Sequence, residues 1–405
     1  MRKQIKSTFN LSIFAGIFLM SFQLMAQNSS IVSGQDPNRR VITTAVPFLN
    51  FAPDSRHSGM GDAGVATSPD VFSAHWNAGK LAFIEDDMGV SLSYSPWLGR
   101  LVNDMSLSYL TFYRKIDNVS AWGFDLRYFN MGDIQLTDGR GNELGEFTPR
   151  DIAIGGTYSR KLSDKFSLGI SGRFIHSNLS GNLSSASGTE SRPGVSIGTD
   201  VGIYYNTEVL TGDRIGVWSW GMTITNIGPK ITYNSADDLD FIPTNFRIGT
   251  AYLMNLNEYN SLTFTLDLNK LMVPSPPILQ TDENGQLVTD PNTGDFIIER
   301  GRDPDRPLIN AMFTSFVDAP DGFSEEMQEI MISFGAEYIY NQVFALRTGY
   351  FYENPNKGGR RYFTMGVGIK YKQLGFDFSY LVPQVQNHPL GETLRLSLAY
   401  TFPSK

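Results

Sequence analysis

The chain has 405 residues, no cysteine, 13% aromatic and 18% charged residues, and a formal net charge of -8. Charge is low against the roughly 25% usual for soluble domains, and the missing cysteine excludes disulfide frameworks, CxxC redox motifs and thiolate metal sites. Basic residues never run longer than a pair, as in Arg39-Arg40 and Arg360-Arg361, so the phosphate-neutralising footprint of a nucleic-acid binder is lacking and no nucleic acid is expected as a partner.

In chain order, the first element is an export signal. Arg2, Lys3 and Lys6 precede a mostly apolar run from Phe9 to Ala26, and the first acid is Asp36. That charge layout predicts a signal peptide over residues 1-26, cleaved after Ala26. No later apolar run reaches about 18 residues, so no transmembrane helix is expected after it, and residence in a membrane would require a closed barrel.

Residues 27-87 are not strand-like and are read as an N-terminal plug. Gly59-Met60-Gly61-Asp62-Ala63-Gly64 fits GxGxxG, but it follows Pro53-Asp54-Ser55-Arg56 and no βαβ unit surrounds it, so a dinucleotide site is not expected. Glycines that let a compact segment turn and pack closely are the better account.

From 88 to 402 the hydrophobic period is two. Leu262, Phe264, Leu266 and Leu268 alternate with Thr263, Thr265, Asp267 and Asn269, and Leu374, Phe376, Phe378 and Tyr380 alternate with Gly375, Asp377 and Ser379. Fourteen such segments are predicted, near 89-96, 104-115, 119-129, 150-161, 165-176, 194-206, 215-226, 244-254, 260-270, 328-340, 342-352, 361-371, 373-382 and 393-402. An even number of bilayer-crossing segments with one greasy face predicts an all-β fold, a 14-stranded antiparallel transmembrane barrel. Short links such as Ile116 to Asn118, Leu162 to Asp164 and Lys372 take turns with the long links 130-149, 177-193, 227-243 and 271-327. That alternation separates a membrane barrel from a soluble sandwich, because short turns belong to one side of an outer membrane and long loops to the other. Tyrosines near strand ends suit the headgroup level.

With the greasy face on lipid, Asp125, Arg127, Arg173, Asp200, Arg247, Asp267, Glu337, Arg347, Asp377 and Arg395 point into the lumen. Five acids balance five arginines, which favours pairing across the barrel or with a plug over a pore selective for one sign.

Chemistry is sparse. Gly194-Val195-Ser196-Ile197-Gly198 fits GxSxG but lies within a strand, not on a strand-to-helix elbow. His57, His75, His176 and His388 lack zinc spacing; the run Asp290 to Asp295 resembles a weak calcium loop without the rest of an EF-hand and is read as a turn. No catalytic residue, metal or cofactor is expected. The loop 271-326 holds eleven acids and three arginines, the full net charge of the chain. Leu308, Ala311, Met312, Ser315 and Phe316 within it have helical spacing. Loops of that length tend to be functional or disordered. It is expected to be either a solvated lid or a docking surface for a protein, with Asp303, Asp305, Phe313, Phe316 and Phe323 as contact candidates.

The run Phe48 to Ala66, with His75-Trp76-Asn77-Ala78-Gly79-Lys80-Leu81-Ala82-Phe83 after it, resembles the N-terminal signature of the PorV family, FadL-like outer-membrane barrels of the type IX secretion system of Bacteroidetes. Gly59, Gly61, Asp62, Gly64, Trp76 and Asn77 carry the resemblance as structural plug residues. Asn77-Ala78-Gly79 departs from the Asn-Pro-Ala of fatty-acid transporters, and the terminal strand ending at Phe402 looks like a barrel-assembly signal. The resemblance implies a non-enzymatic protein of the Gram-negative outer membrane, in contact with its lipid. It implies association with the giant translocon barrel, binding of the C-terminal signal domains of cargo, and delivery to the surface attachment complex. A FadL-type channel for hydrophobic small molecules is the alternative; a lipid-modifying enzyme would need a converged Ser, His and acid.

Overall fold

The computed structural model describes residues 39–99, 104–137, 140–179, 191–212, 214–233, 239–283, 286–384 and 393–402. The signal peptide expected over 1-26, the start of the expected plug and His388 lie outside them.

The described chain begins as an irregular segment with two single-turn helices, α1 (Ser55–Ser58) and α2 (Ser73–Trp76), and a 3-10 turn at Ala78–Phe83. It then enters a ladder of strands: β1 (Met88–Pro96), β2 (Met105–Lys115), β3 (Ser120–Met131), a small hairpin of β4 (Ile134–Thr137) and β5 (Glu143–Phe147), β6 (Arg150–Lys161), β7 (Phe166–Asn178), β8 (Gly194–Thr211), β9 (Arg214–Ile227), β10 (Asn245–Asn255) and β11 (Asn260–Leu271). A long connection carries β12 (Ile278–Leu279), β13 (Ile298–Arg300), α3 (Leu308–Thr314) and α4 (Phe323–Gln328); then come β14 (Met331–Tyr340), β15 (Phe344–Tyr352), β16 (Arg361–Tyr371), β17 (Leu374–Pro383) and β18 (Leu394–Phe402).

Fourteen of these strands form one closed antiparallel barrel in sequence order, with β18 pairing back on β1, Val90 opposite Tyr400. They are the fourteen predicted segments, displaced by a few residues at their ends. The hairpin β4–β5 and the pair β12–β13 lie in long connections outside the ladder, where no period-two run long enough to cross a bilayer marks them.

Burial is inverted relative to a water-soluble protein. Along β11, Phe264, Leu266 and Leu268 are exposed, Leu266 at 40%, while Thr263, Thr265 and Asp267 are buried, Thr265 at 2%. Apolar side chains outward and polar ones inward, as along β11, are the arrangement a hydrocarbon solvent selects for a closed ladder that leaves no backbone group unpaired; β2 differs, with Leu107, Tyr109 and Tyr113 turned inward. The connections sort by end: Ile116 to Val119, Leu162 to Lys165 and Lys372 to Gln373 are tight, whereas the long links open at the opposite, outer end.

The segment ahead of β1 fills the lumen. Its bonds reach strands round the whole ring: Arg127 Nη1 of β3 donates to Leu49 O, Ser55 N to Ser397 Oγ of β18, Gly61 N to Thr364 Oγ1 of β16, Gly64 N to Asp267 Oδ2 of β11, and Thr111 Oγ1 of β2 to Val71 O. Two apolar clusters join it to the wall, one round Phe48, Leu49, Trp97 and Phe129, the other round Phe72, Trp76, Leu81 and Tyr109.

The face assignment makes a depth-dependent prediction. Leu266 lies near the middle of β11, and Leu266→Arg should destabilise the barrel by about 2–4 kcal/mol, against about 0–1 kcal/mol for Tyr259→Arg in the short turn before it. The measurement is the folding equilibrium in bilayers by urea titration; equal costs at the two positions would remove the lipid from that face.

Candidate functional site

The lumen segment is held at one deeply buried node. Asp54, ahead of α1, accepts from His57 Nδ1 at 2.9 Å and from Trp76 Nε1 at 2.7 Å. Burial alone would push its carboxyl up; the charge of His57 and the hydrogen bonds from His57 and Trp76 outweigh that and hold it at about 2. Trp76 in turn carries Arg247 of β10 over its ring at 5.5 Å, so one indole ties α1, α2 and the wall together. Lys80, fully buried, donates to Gly64 O and Thr67 Oγ1, and burial brings its ammonium down to about 8. His75 is pushed well below the usual imidazole range, first by burial and then by Arg127, Arg247 and Arg173.

The glycine run of the sequence touches the wall backbone to backbone. Gly61 has φ +71°, and a Cβ there would lie 2.7 Å from Phe334 O and Tyr350 N, so the position demands glycine on both conformational and steric grounds. A Cβ on Gly64 would come 2.3 Å from the Trp76 ring. Gly59 sits against Gly366 of β16. Asp62 accepts from Tyr362 Oη at 2.5 Å and pairs with Arg395 at 3.6 Å. Asn77 Nδ2 bridges Val65 O and Ile203 O of β8.

The lumen charges pair largely across strands and with this segment. Glu337 and Arg347 stand opposite each other on β14 and β15; Arg347 also holds Asp377, and Arg56 of the lumen segment completes the group on Glu337 at 2.9 Å. Arg173 pairs with Asp200 at 3.0 Å and Arg127 with Asp125 at 3.7 Å, while Asp267 accepts from Gly64 N and Val65 N. Between the stretch Val41 to Ala52 of the segment and the wall lies a cavity of about 500 Å³ lined in part by Phe51, Trp97, Phe351, Arg247 and Arg395.

The outer connection corrects one expectation. Its acids do not all project into water: Asp318, Glu325 and Glu326 are buried. Glu325 pairs with Arg40 at 2.7 Å and with Lys357 at 2.5 Å, Glu326 with Lys270 at 2.9 Å, and Asp318 with Arg306. These four basic residues sit at the barrel's outer end, buried or half-buried, and the acids share their charge with Glu329, which also pairs with Lys270 and Lys357, and with Asp321, which also pairs with Arg40. Sequence offered no signal for this clasp, because its partners come from five separate stretches of chain. Asp303 caps the Asp305 amide, Asp305 reaches Lys230 at 2.5 Å while remaining exposed, and Phe313, Phe316 and Phe323 are exposed. Ser196 donates to Pro229 O, whereas His57 bonds Asp54 and Thr67, so these two share no hydrogen bond. Asp290 Oδ1 accepts from Asn292 N in a plain turn.

Two outcomes follow from this geometry. Gly64→Ala should cost about 1–3 kcal/mol by overpacking against Trp76, and much less in a Trp76→Leu background, measured as a double-mutant cycle in urea; equal costs would dissociate the glycine from the indole. The second concerns Glu325. Burial raises its carboxyl, but Arg40 and Lys357 bring it to about 2, so the clasp contributes stability above the ordinary glutamate value and loses it as pH falls through about 2. Pepsin should therefore cut the outer connection faster at about pH 2 than at about pH 4, relative to Glu325→Gln, in which the charge is gone at both; identical pH profiles would sink the clasp.

A family model described as "Type IX secretion system protein PorV" matches residues 34–278, more than half of the chain. No curated protein matches the sequence. Among solved structures the chain is similar to the toluene transporter TodX of P. putida, at 13% identity over 88% of this chain and 99% of that one, TM-score 0.47. It is also similar to the toluene transporter TbuX of Ralstonia pickettii, at 13% identity over 88% and 98%, TM-score 0.45, and to a FadL homologue of Pseudomonas aeruginosa, at 12% over 90% and 99%, TM-score 0.43. The chain belongs to the PorV family of type IX secretion system proteins and is an integral β-barrel of the outer membrane.

Proposed function

We propose that the chain is a non-enzymatic shuttle or adaptor of type IX secretion: it receives the C-terminal signal domain of cargo released from the giant translocon barrel and delivers the cargo to the surface attachment complex. The observation that carries this reading is the filled lumen. A segment bonded to strands round the ring and keyed by Asp54 and Trp76 leaves no passage for a protein, so a secretion protein of this build handles its partners on its outer surface. The acidic outer connection is the surface we assign to them, with Asp303 and Asp305 as charged contacts and Phe323, 75% exposed at the start of α4, as an apolar one.

Catalysis has little support. Asp54, His57 and Thr67 form a chain of hydrogen bonds reminiscent of a triad, with His57 Nε2 3.1 Å from Thr67 Oγ1. All three are fully buried, the Thr67 hydroxyl donates to Gly64 O and its oxygen accepts from Lys80, so it is occupied on both sides rather than activated. A second reading, a channel for hydrophobic small molecules, has one observation in its favour, the cavity beside Phe51 and Trp97. It needs a continuous apolar path past the lumen segment, and Trp76, Leu81 and Tyr109 pack across that level.

The docking assignment is tested by charge reversal. Asp303→Lys with Asp305→Lys should lower the yield of translocon and cargo that co-purify from native membranes, and the loss should shrink at high salt, as for a rim electrostatic contact. Lys230→Ala removes the ion pair to Asp305 and the ammonium's contact with the Phe241 ring but keeps both carboxylates, and should leave the yield unchanged. Full recovery with both charges reversed would move docking to the connections after β7 and β9 or to the barrel wall.

A further inference from the structure

The helix α3 and the turn that follows it overhang the outside of the wall. Phe246 of β10 and Lys270 of β11 are directly opposed partners at the outer end of the ladder, on the same face as the exposed Ile248 and Leu268. Yet Lys270 is only 5% exposed. Phe316 covers the pair, its ring edge-on to Phe246 at 6.1 Å and 5.6 Å from Lys270 Nζ, while Glu326 and Glu329 take the ammonium's charge. A residue that covers two lipid-face positions stands outside the barrel, not over its mouth.

The helix has two faces. Ala311, Met312 and Ser315 are buried against the protein; Ile309 and Phe313 of the helix and Phe316 of the turn after it form an adjoining exposed stripe, with Val317 beside it. Phe313 is 67% exposed. The stripe therefore begins at Phe316, in contact with the lipid-facing Phe246 and with the buried Lys270, whose ammonium is taken up by Glu326 and Glu329, and continues outward from the apolar belt.

We propose that this stripe is seated in the outer leaflet, at the boundary of headgroups and acyl chains, as an interfacial anchor that fixes the outer connection beside the wall. Continuity with the lipid face names the occupant: the hydrocarbon that solvates Ile248 and Leu268 reaches the same level one rung higher. A short amphipathic helix with aromatic residues on its apolar side gains by lying in that boundary, and Phe313 and Phe316, which the sequence offered as protein-docking anchors, are thereby assigned to lipid. The acidic stretch with Asp303 and Asp305 is held over the water next to them.

Because the chain has no cysteine, single spin labels place the stripe directly. Ile309→Cys and Phe313→Cys, with Leu266→Cys as the wall reference and Asp303→Cys as the aqueous one, are labelled in the purified full chain. The labelled protein is reconstituted in vesicles of phosphatidylethanolamine and phosphatidylglycerol. Power saturation then compares collision with oxygen and with a water-soluble nickel chelate. Both labels in the stripe should show an oxygen-to-nickel ratio several-fold above that at Asp303 and approaching that at Leu266. A ratio equal to that at Asp303, protection from both reagents as under a second copy of the chain, or disagreement between the two labels would each overturn the proposal. Heat-modifiable migration checks that each labelled barrel is folded, and Val317→Cys stands in for either position that fails. The assay contains no partner, so its result does not depend on the secretion reading.

Discussion

Hydrocarbon on the outside is the constraint from which the rest of the molecule follows. It selects apolar side chains such as Phe264 and Leu266 for the outer face and sends every alternate residue of fourteen strands inward. Inward-facing Asp, Glu and Arg then have no bulk water to turn to unless the lumen is left open, and each needs a partner within the barrel. The segment ahead of β1 adds partners to those of the strands: Arg56 for Glu337, the amides of Gly64 and Val65 for Asp267, and Asp62 for Arg395. Lumen charge and lumen segment are in this sense one structure, since removing the segment would take those partners from Asp267 and Arg395 and leave Glu337 to Arg347 alone.

That dependence also explains why glycine clusters where the segment meets the wall. Gly61 against the backbone of Phe334 and Tyr350, and Gly64 against Trp76, bring main chain within van der Waals contact of main chain or ring. Close approach lets short donors reach their acceptors: Gly61 N lies 2.8 Å from Thr364 Oγ1 and Gly64 N 2.7 Å from Asp267 Oδ2. A side chain at either glycine would push the segment off the wall and lengthen those bonds, each worth roughly 0.5–1.5 kcal/mol net, more where the acceptor is charged.

The barrel was legible because its signal is local. Leu262 to Asn269 announces a lipid face and a lumen face by alternation alone, and the same rule repeated along the chain gives the strand number; tight links such as Leu162 to Asp164 fix the hairpins. The ends slipped by a few residues, as for β8, which runs on to Thr211 because Glu208 and Leu210 extend its pairing with β9 past the apolar pattern. The pairing of charges was not legible. Arg56 and Glu337 lie 281 positions apart, and nothing in either neighbourhood points to the other; only the closed ladder brings them together. Composition misled in the outer connection for a related reason: a net of -8 reads as a solvated surface, yet Glu325, Glu326 and Asp318 are spent on Arg40, Lys357, Lys270 and Arg306.

The division of those acids bears on how the protein can work. Carboxylates that neutralise buried cations are fixed by the cost of exposing either partner alone, so they hold the outer connection to the barrel and to the start of the lumen segment through Arg40. The acids left exposed, Asp303 and Asp305 among them, are attached to a base that is already braced. A partner that meets them encounters a surface ordered in advance, and less of its binding energy goes into immobilising a long loop. The same bracing links the two ends of the argument: Arg40 opens the described segment that descends through the lumen to Trp76, and its carboxylate partner Glu325 lies in α4. A force applied to the outer connection would therefore be felt first at the clasp and only afterwards at the Asp54 node, which lies within the barrel and shares no residue with it.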